Sequence, residues 1–293
     1  MKRSYSDKIF HVVNTAIILV LLVIFVWPLW FVFIASFSDP NLVNSGKVLI
    51  FPQGFTLGGY ERMLEYKQIW VGYANSIFYT IAGTLCSMTL SICMAYPMSD
   101  KTFAPRRFLM IVFMVSMYFG GGLIPTYLLL RSLHIVNTRW AMIIPGVISV
   151  YNCLIIRSYF MNSILGELRE AATLDGANKA QYLWKIVIPL SKSVFAVVGL
   201  YYAVGYWNNY TKALYYIYND ALMPLQMVLR ELLMSTKMLG DLAMDPEFME
   251  EALEQAQMMK YCVILAAAVP MFCIYPFVQK HFVKGVMVGS VKG

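Results

Sequence analysis

Six uncharged, apolar stretches dominate the pattern of this chain: Ile9–Ser38, Gln68–Ser99, Phe108–Leu130, Trp140–Ile156, Ser193–Thr211 and Tyr261–Gln279. About 20 apolar residues at 1.5 Å rise cross a hydrocarbon core of roughly 30 Å. Five stretches approach or exceed that length, and the fourth reaches it with uncharged turns and a snorkelling Arg157. The pattern predicts an all-α integral membrane protein with six transmembrane helices. The first stretch keeps Pro28 and stays apolar to Phe37 with no cleavage pattern behind it, so it is expected to remain a helix. In the third, Gly120-Gly121-Gly122 with Pro125 predicts a local weakness, either a bend or a close helix approach.

Between the fourth and fifth stretches lies a polar run, "ELREAATLDGANKAQYLWKIVIP" (Glu167–Pro189), with three carboxylates in a chain that otherwise avoids charge. Glu167 through Leu174 are good helix formers. Asp175-Gly176 ends that helix, because glycine accepts a positive φ at low cost. A second helical pattern then puts Ala180, Leu183, Trp184, Val187 and Ile188 on one face, closed by Pro189. Two short helices anchored by a span at each end make a projecting knob. Ala171 and Ala172 would let another protein approach the backbone. The pattern by itself also fits an interfacial amphipathic helix.

Composition agrees with the membrane reading. The 293 residues are 59% hydrophobic and 13% charged, where soluble proteins carry about 25% charged residues. The charge sets orientation through lysine and arginine placement. With the N-terminus inside, the inner segments hold 14 of the 23 basic residues and a net +9, and the outer segments hold −2. Both termini and the Glu167–Pro189 run are then cytoplasmic. The formal +7 is spread over short loops beside anionic lipid, not gathered on one basic face, so nucleic acid is not an expected partner. Two outer segments are long, about Asp39–Lys67 and Asn219–Lys260, and the second carries the acidic run "DLAMDPEFMEEALEQAQ". Cys86, Cys93, Cys153, Cys262 and Cys273 lie in apolar segments without a CxxC pair, which reads as packing and not as metal or redox chemistry.

The run "EAATLDGANKAQYLWKIVIPL" resembles the EAA loop of binding-protein-dependent ABC importer permeases, although its ending, I-V-I-P-L, departs slightly from theirs. "GGLIPTYLLLRSLHIVNTRWAMIIPG" (Gly121–Gly146) is similar to the third and fourth spans of the carbohydrate permeases of this family. "YWNNYTKALYYI" matches their W-N segment, and "QKHFVKGVMVGSVKG" resembles their tail. The resemblance covers nearly the whole chain. It implies a type I ABC importer permease fold in a bacterial cytoplasmic membrane, with residues 1–68 forming an N-terminal span and first extracytoplasmic loop. Residues 69–293 would form the core permease domain, with a coupling loop at 163–189 and a cytoplasmic tail at 280–293.

The same resemblance implies the working parts. The coupling residues would be Glu170, Ala171, Ala172, Asp175, Gly176 and Ala177, lodged in a cleft of a cytoplasmic ATPase whose closure switches the spans. Tail residues Lys284, Gly285, Gly289 and Lys292 would reach the ATPase pair, and an outer loop around Leu229–Asp245 would meet the binding protein. The implied partners are a second homologous permease, two ATP-binding cassette subunits and an extracytoplasmic solute-binding protein. The chain has no G-x-x-x-x-G-K-[ST] loop, so ATP and magnesium are expected on the partner ATPase and no cofactor or metal on this chain.

Polar groups inside spans are costly and mark candidate sites. Tyr151, Asn152, Tyr202, Tyr206, Trp207, Asn208 and Asn209 form such a cluster. Aromatic faces and amides suit a saccharide path, and the same groups equally suit hydrogen bonding between helices. An ion-coupled secondary transporter is the competing class, but no Asp, Glu, Lys or Arg is expected in mid-membrane and no half is repeated. An ABC permease for a non-sugar solute is another alternative. A membrane enzyme would need clustered acid–base groups, and His11, His134 and His281 are dispersed; the expectation is a transport subunit with no enzymatic site.

Overall fold

The computed structural model describes residues 5–164, 166–241, 257, 259–274 and 276, and every regular element among them is helical. In order these are α1 (Tyr5–Ala35), α2 (Pro40–Asn44), α3 (Gly58–Glu65), α4 (Lys67–Ser99), α5 (Arg106–Tyr118), α6 (Leu123–Ser132), α7 (Arg139–Ile143), α8 (Val150–Ser163), α9 (Gly166–Leu174), α10 (Lys179–Tyr182), α11 (Ile188–Leu190), α12 (Lys192–Trp207), α13 (Thr211–Tyr216) and α14 (Leu225–Asp241), followed by α15 (Met259–Ile274). The expected tail contacts at Lys284, Gly285, Gly289 and Lys292 lie outside the described residues, as do residues 242–245 of the expected outer loop.

Helices α1 and α4 are each long and apolar enough to cross a membrane. Two bent pairs raise the count to four if each pair is one span: α5 with α6, at 115°, and Lys179–Leu190 with α12, at 80°. Six spans is therefore more than helix length alone marks out. The fourth expected span is divided into α7 and α8 by a turn through Pro145 and Gly146, the latter at φ 71. The described part of the sixth is the shorter apolar helix α15.

The breaks have local causes. Gly122 sits at φ 81 between α5 and α6, a left-handed conformation that side chains resist, so the glycine triplet makes a sharp bend. Between α10 and α11, Leu183–Val187 forms a π-type turn. Its extra residue shifts the helical register. Of the expected face, Leu183, Val187 and Ile188 are buried or half-buried, whereas Ala180 and Trp184 are exposed and Tyr182 turns inward with Val187.

The described residues divide into two compact units, one drawn from Met1–Lys67 and Leu229–Val269 and the other from Gln68–Val228 and Pro270–Gly293. In the first, nearly all of the apolar surface of α1 from Ile9 to Trp30 is exposed, which water would penalise and lipid satisfies. Its small core joins Ile34, Ala35, Val43 and Val48, with Phe31 and Tyr261 packed against it. The core of the second unit runs from Ala95 and Met98 through Cys153, Ile156 and Phe160 to Val194, Val198, Tyr202 and Tyr206. It also takes in Ala172, Tyr182 and Val187, so the polar run is packed onto the helices it connects. None of the five cysteines is in a disulfide among the described residues.

Candidate functional site

The knob is built by two complementary caps. At the end of α9, the Gly176 N–H donates to Thr173 O at 3.1 Å and the Ala177 N–H to Ala172 O at 2.9 Å. Gly176 itself sits at φ 78. This is a Schellman closure, which satisfies the orphan carbonyls of the helix end. Two residues on, the Asn178 side chain accepts from Gln181 N at 2.8 Å while the Gln181 side chain accepts from Asn178 N at 2.9 Å, a capping box that starts α10. The two caps, spanning Ala172 to Gln181, thus fix the angle between the two helices.

Asp100, one residue past α4, anchors this knob. The Arg169 guanidinium donates to both its carboxylate oxygens at 2.8 and 2.7 Å. Thr102 donates through its N–H and hydroxyl, and Lys179 approaches at 3.4 Å. Arg169 beside it, supported by Thr102, holds the Asp100 carboxyl well below the usual carboxylate range against the opposing effect of burial. The Tyr96 hydroxyl donates to Lys179 O at 3.0 Å. One carboxylate thereby ties α4 to both helices of the knob. A cavity of about 790 Å³ opens beside it, bounded in part by Asp100, Arg169, Glu170 and Tyr182. Arg157, expected to snorkel, instead donates to Met98 O at 3.0 Å at the end of α4.

Of the six coupling candidates, Glu170, Ala171, Asp175 and Gly176 are exposed and Ala177 is half-buried. Ala172 is only 7% exposed and packs into the core, so the surface open to another protein is that of Ala171. Leu174, at the end of α9, is 89% exposed and Trp184, in the π-type turn, 69%, two apolar side chains left uncovered.

A second site forms where the fourth expected span is broken. Because α7 ends at Ile143, the carbonyls of Met142 and Ile143 lose their helical partners. The Tyr206 hydroxyl donates to Ile143 O at 3.2 Å, and the Lys212 ammonium donates to Met142 O at 3.2 Å while lying 5.0 Å over the Tyr206 ring. Tyr206 also shares a 3.0 Å hydrogen bond with Ser87, and Tyr202 shares one of 2.7 Å with Ser91 and accepts from Ser149 N. Gly83 makes room for this: a Cβ there would lie 2.6 Å from the Tyr206 ring.

An open cavity of about 260 Å³ lies here, and Asn152, Tyr202, Tyr206 and Asn209 line it together with Ser149 and Lys212. Four of the seven candidate path residues are thus brought together. Tyr151 and Asn208 are exposed elsewhere, and Trp207, 3% exposed, packs 6.1 Å from the Tyr73 ring. Sequence reasoning missed Asp100, Arg169, Lys212 and Gly83. Lys212 had a signal, since it lies within the quoted YWNNYTKALYYI segment, two residues past Tyr210, and was counted only as an outer charge.

Helices with lipid-facing apolar surface, a rigid polar knob and a polar cavity define an integral-membrane transport subunit. No family model matches the chain. It is 37% identical to Protein LplC of Bacillus subtilis (strain 168), across 100% of this chain and 98% of that one. It is also 37% identical to the polygalacturonan/rhamnogalacturonan transport system permease protein YtcP of the same strain, across 98% of this chain and 100% of the relative. The crystal structure of a bacterial ABC transporter involved in the import of the acidic polysaccharide alginate has a chain that matches with a TM-score of 0.86 at 31% identity, covering 96% of this chain and 99% of that one. The chain belongs to the family of carbohydrate-type ABC importer permeases, all-helical, multi-pass proteins of the cytoplasmic membrane that transport and do not catalyse.

Proposed function

We propose that this chain is one of two homologous permease subunits of an ATP-driven saccharide importer, with six spans and both termini in the cytoplasm. ATP and magnesium bind the two partner ATPases. An extracytoplasmic binding protein delivers the sugar, and the tail residues Lys284, Gly285, Gly289 and Lys292 reach between the ATPases. The substrate class rests on the relatives, among them the galacturonan permease and the alginate importer.

The observation that carries the coupling role is the knob itself: a helix pair of fixed angle, locked to α4 through Asp100, with Leu174 and Trp184 uncovered. Such a body transmits a push from an ATPase cleft to the spans without bending. The test is crosslinking from cysteines placed at Thr173 and Asn178 in the assembled importer in inside-out and right-side-out vesicles. Crosslinks to the ATPase whose yield changes with ATP are expected. Free labelling of both positions from outside the cell would invert the topology and end this reading.

A further inference from the structure

The cavity lined by α8 and α12 holds a cation that no carboxylate among the described residues neutralises. Among the described residues, both ion pairs belong to Asp100, so no carboxylate partners Lys212. Its ammonium has three donors. One goes to Met142 O and the charge lies over the Tyr206 ring, which leaves donor capacity at the cavity that Lys212 lines.

A second group in the same cavity is also unanswered. Asn152 is 6% exposed and its backbone is held in α8, where its N–H also donates to the Ser149 hydroxyl. Its side-chain amide, with two donors and an acceptor, lines the cavity and has no hydrogen-bond partner among the described residues. By contrast, the hydroxyls of Tyr202 and Tyr206 are consumed within the bundle. The polar groups thus separate into those that hold helices together and those left for a ligand.

We propose that this cavity is a carboxylate-recognising subsite, in which Lys212 and Asn152 bind the uronate group of an acidic saccharide as it passes. The inference rests on the saccharide-importer reading and names its substrate class. A lone ammonium and a neutral amide match a monoanion. A phosphate dianion would leave charge uncompensated in a partly desolvated place. At about 260 Å³ the cavity falls just under the roughly 300–1,000 Å³ of drug-sized sites, so it suits one sugar ring with its carboxylate. Tyr201 exposes a ring at its wall, and a Cβ built at Gly205 meets nothing within 4 Å, so the helix surface beside it is open. A neutral sugar must desolvate the same ammonium without neutralising it, and this makes the site discriminate against it.

The test uses the complete importer with its binding protein and ATPases in proteoliposomes. ATP-dependent uptake is measured for short oligogalacturonides and for the same oligosaccharides with each carboxylate reduced to a primary alcohol. The wild type should prefer the acid. In Lys212→Met the acid-to-neutral uptake ratio should fall about tenfold or more, the worth of one charge-assisted hydrogen bond. Lys212→Arg should keep most of the ratio, and Asn152→Leu should lower it partially. A role in merely capping Met142 O predicts equal loss of both substrates in Lys212→Met, with the ratio unchanged, and that result overturns the subsite. Uptake of neither substrate by a wild-type importer with active ATPases instead overturns the saccharide reading on which it stands.

Discussion

Replacing Asp100 by Asn should loosen the knob from the spans while leaving its shape intact. The substitution keeps the size of the side chain but removes the charge that meets Arg169 bidentately at 2.7–2.8 Å and Lys179 at 3.4 Å. A hydrogen bond to a charged group contributes about 1.5–3 kcal/mol. The Arg169 side chain is 38% exposed, against 10% for Asp100, so solvent screening discounts that range. A net loss of about 1–2 kcal/mol follows, a factor of roughly 5–30 in a local equilibrium. Hydrogen exchange of the Gly166–Leu174 amides in the detergent-purified importer should rise by that factor, with α4 amides far less affected. Sugar-stimulated ATP hydrolysis should fall. A double-mutant cycle with Arg169→Gln separates the pair from general damage, because the two changes should combine non-additively. The pH dependence has a definite sign. The folded carboxyl is held below its ordinary value by Arg169, so its stabilisation is fully present above the unfolded pKa of about 3.9. It is lost as pH falls below that point, and Asp100→Asn should remove this acid-side loss. Unaltered exchange in α9, together with unaltered coupling, would show that Asp100 is not the anchor.

Three further outcomes are expected. Gly176→Val places a β-branched residue at φ 78, at a cost of about 1–3 kcal/mol, and should disrupt ATPase association while membrane insertion, followed by protease protection, stays normal. Leu174→Asp alters a side chain that is 89% exposed; it should shift melting of the isolated chain by no more than about 0.5 kcal/mol yet weaken co-purification of the ATPase, and intact co-purification would remove Leu174 from the docking surface. Gly83→Ala drives a methyl to within 2.6 Å of a doubly hydrogen-bonded Tyr206 ring and should destabilise by about 1–3 kcal/mol through overpacking, whereas Gly205→Ala, in open space, should not; equal melting of the two would refute the packing argument.

What was legible in the sequence was what local chemistry decides. Asp175-Gly176 specified a left-handed closure by itself, and the structure has it. The glycine triplet marked a local weakness, read as either a bend or a close helix approach, and α5 and α6 meet there at 115°. On the second knob helix, Ala180 and Trp184 were misplaced because periodicity assumes 3.6 residues per turn, and the π-type turn at Leu183–Val187 inserts an extra residue. Asp100 was invisible for a different reason. Its partner Arg169 is 69 positions away, and nothing in a one-dimensional pattern distinguishes a carboxylate that anchors a helix from one that faces water.

The broken fourth span explains why the remaining polar residues could not be sorted from sequence. An intact helix there would have satisfied the Met142 and Ile143 carbonyls internally, and neither Tyr206 nor Lys212 would have had an acceptor in α7. Breaking it at Pro145 and Gly146 creates two acceptors inside the bundle, and one is met by a neutral hydroxyl and the other by a cation. A hydroxyl would satisfy Met142 O as well as an ammonium does, without the cost of a partly desolvated charge. The surplus that Lys212 brings is the charge itself, and among the described residues no anion of the chain receives it. Helix-to-helix bonding therefore accounts for Tyr202 and Tyr206 but leaves the charge of Lys212 unexplained, and an anionic ligand accounts for it.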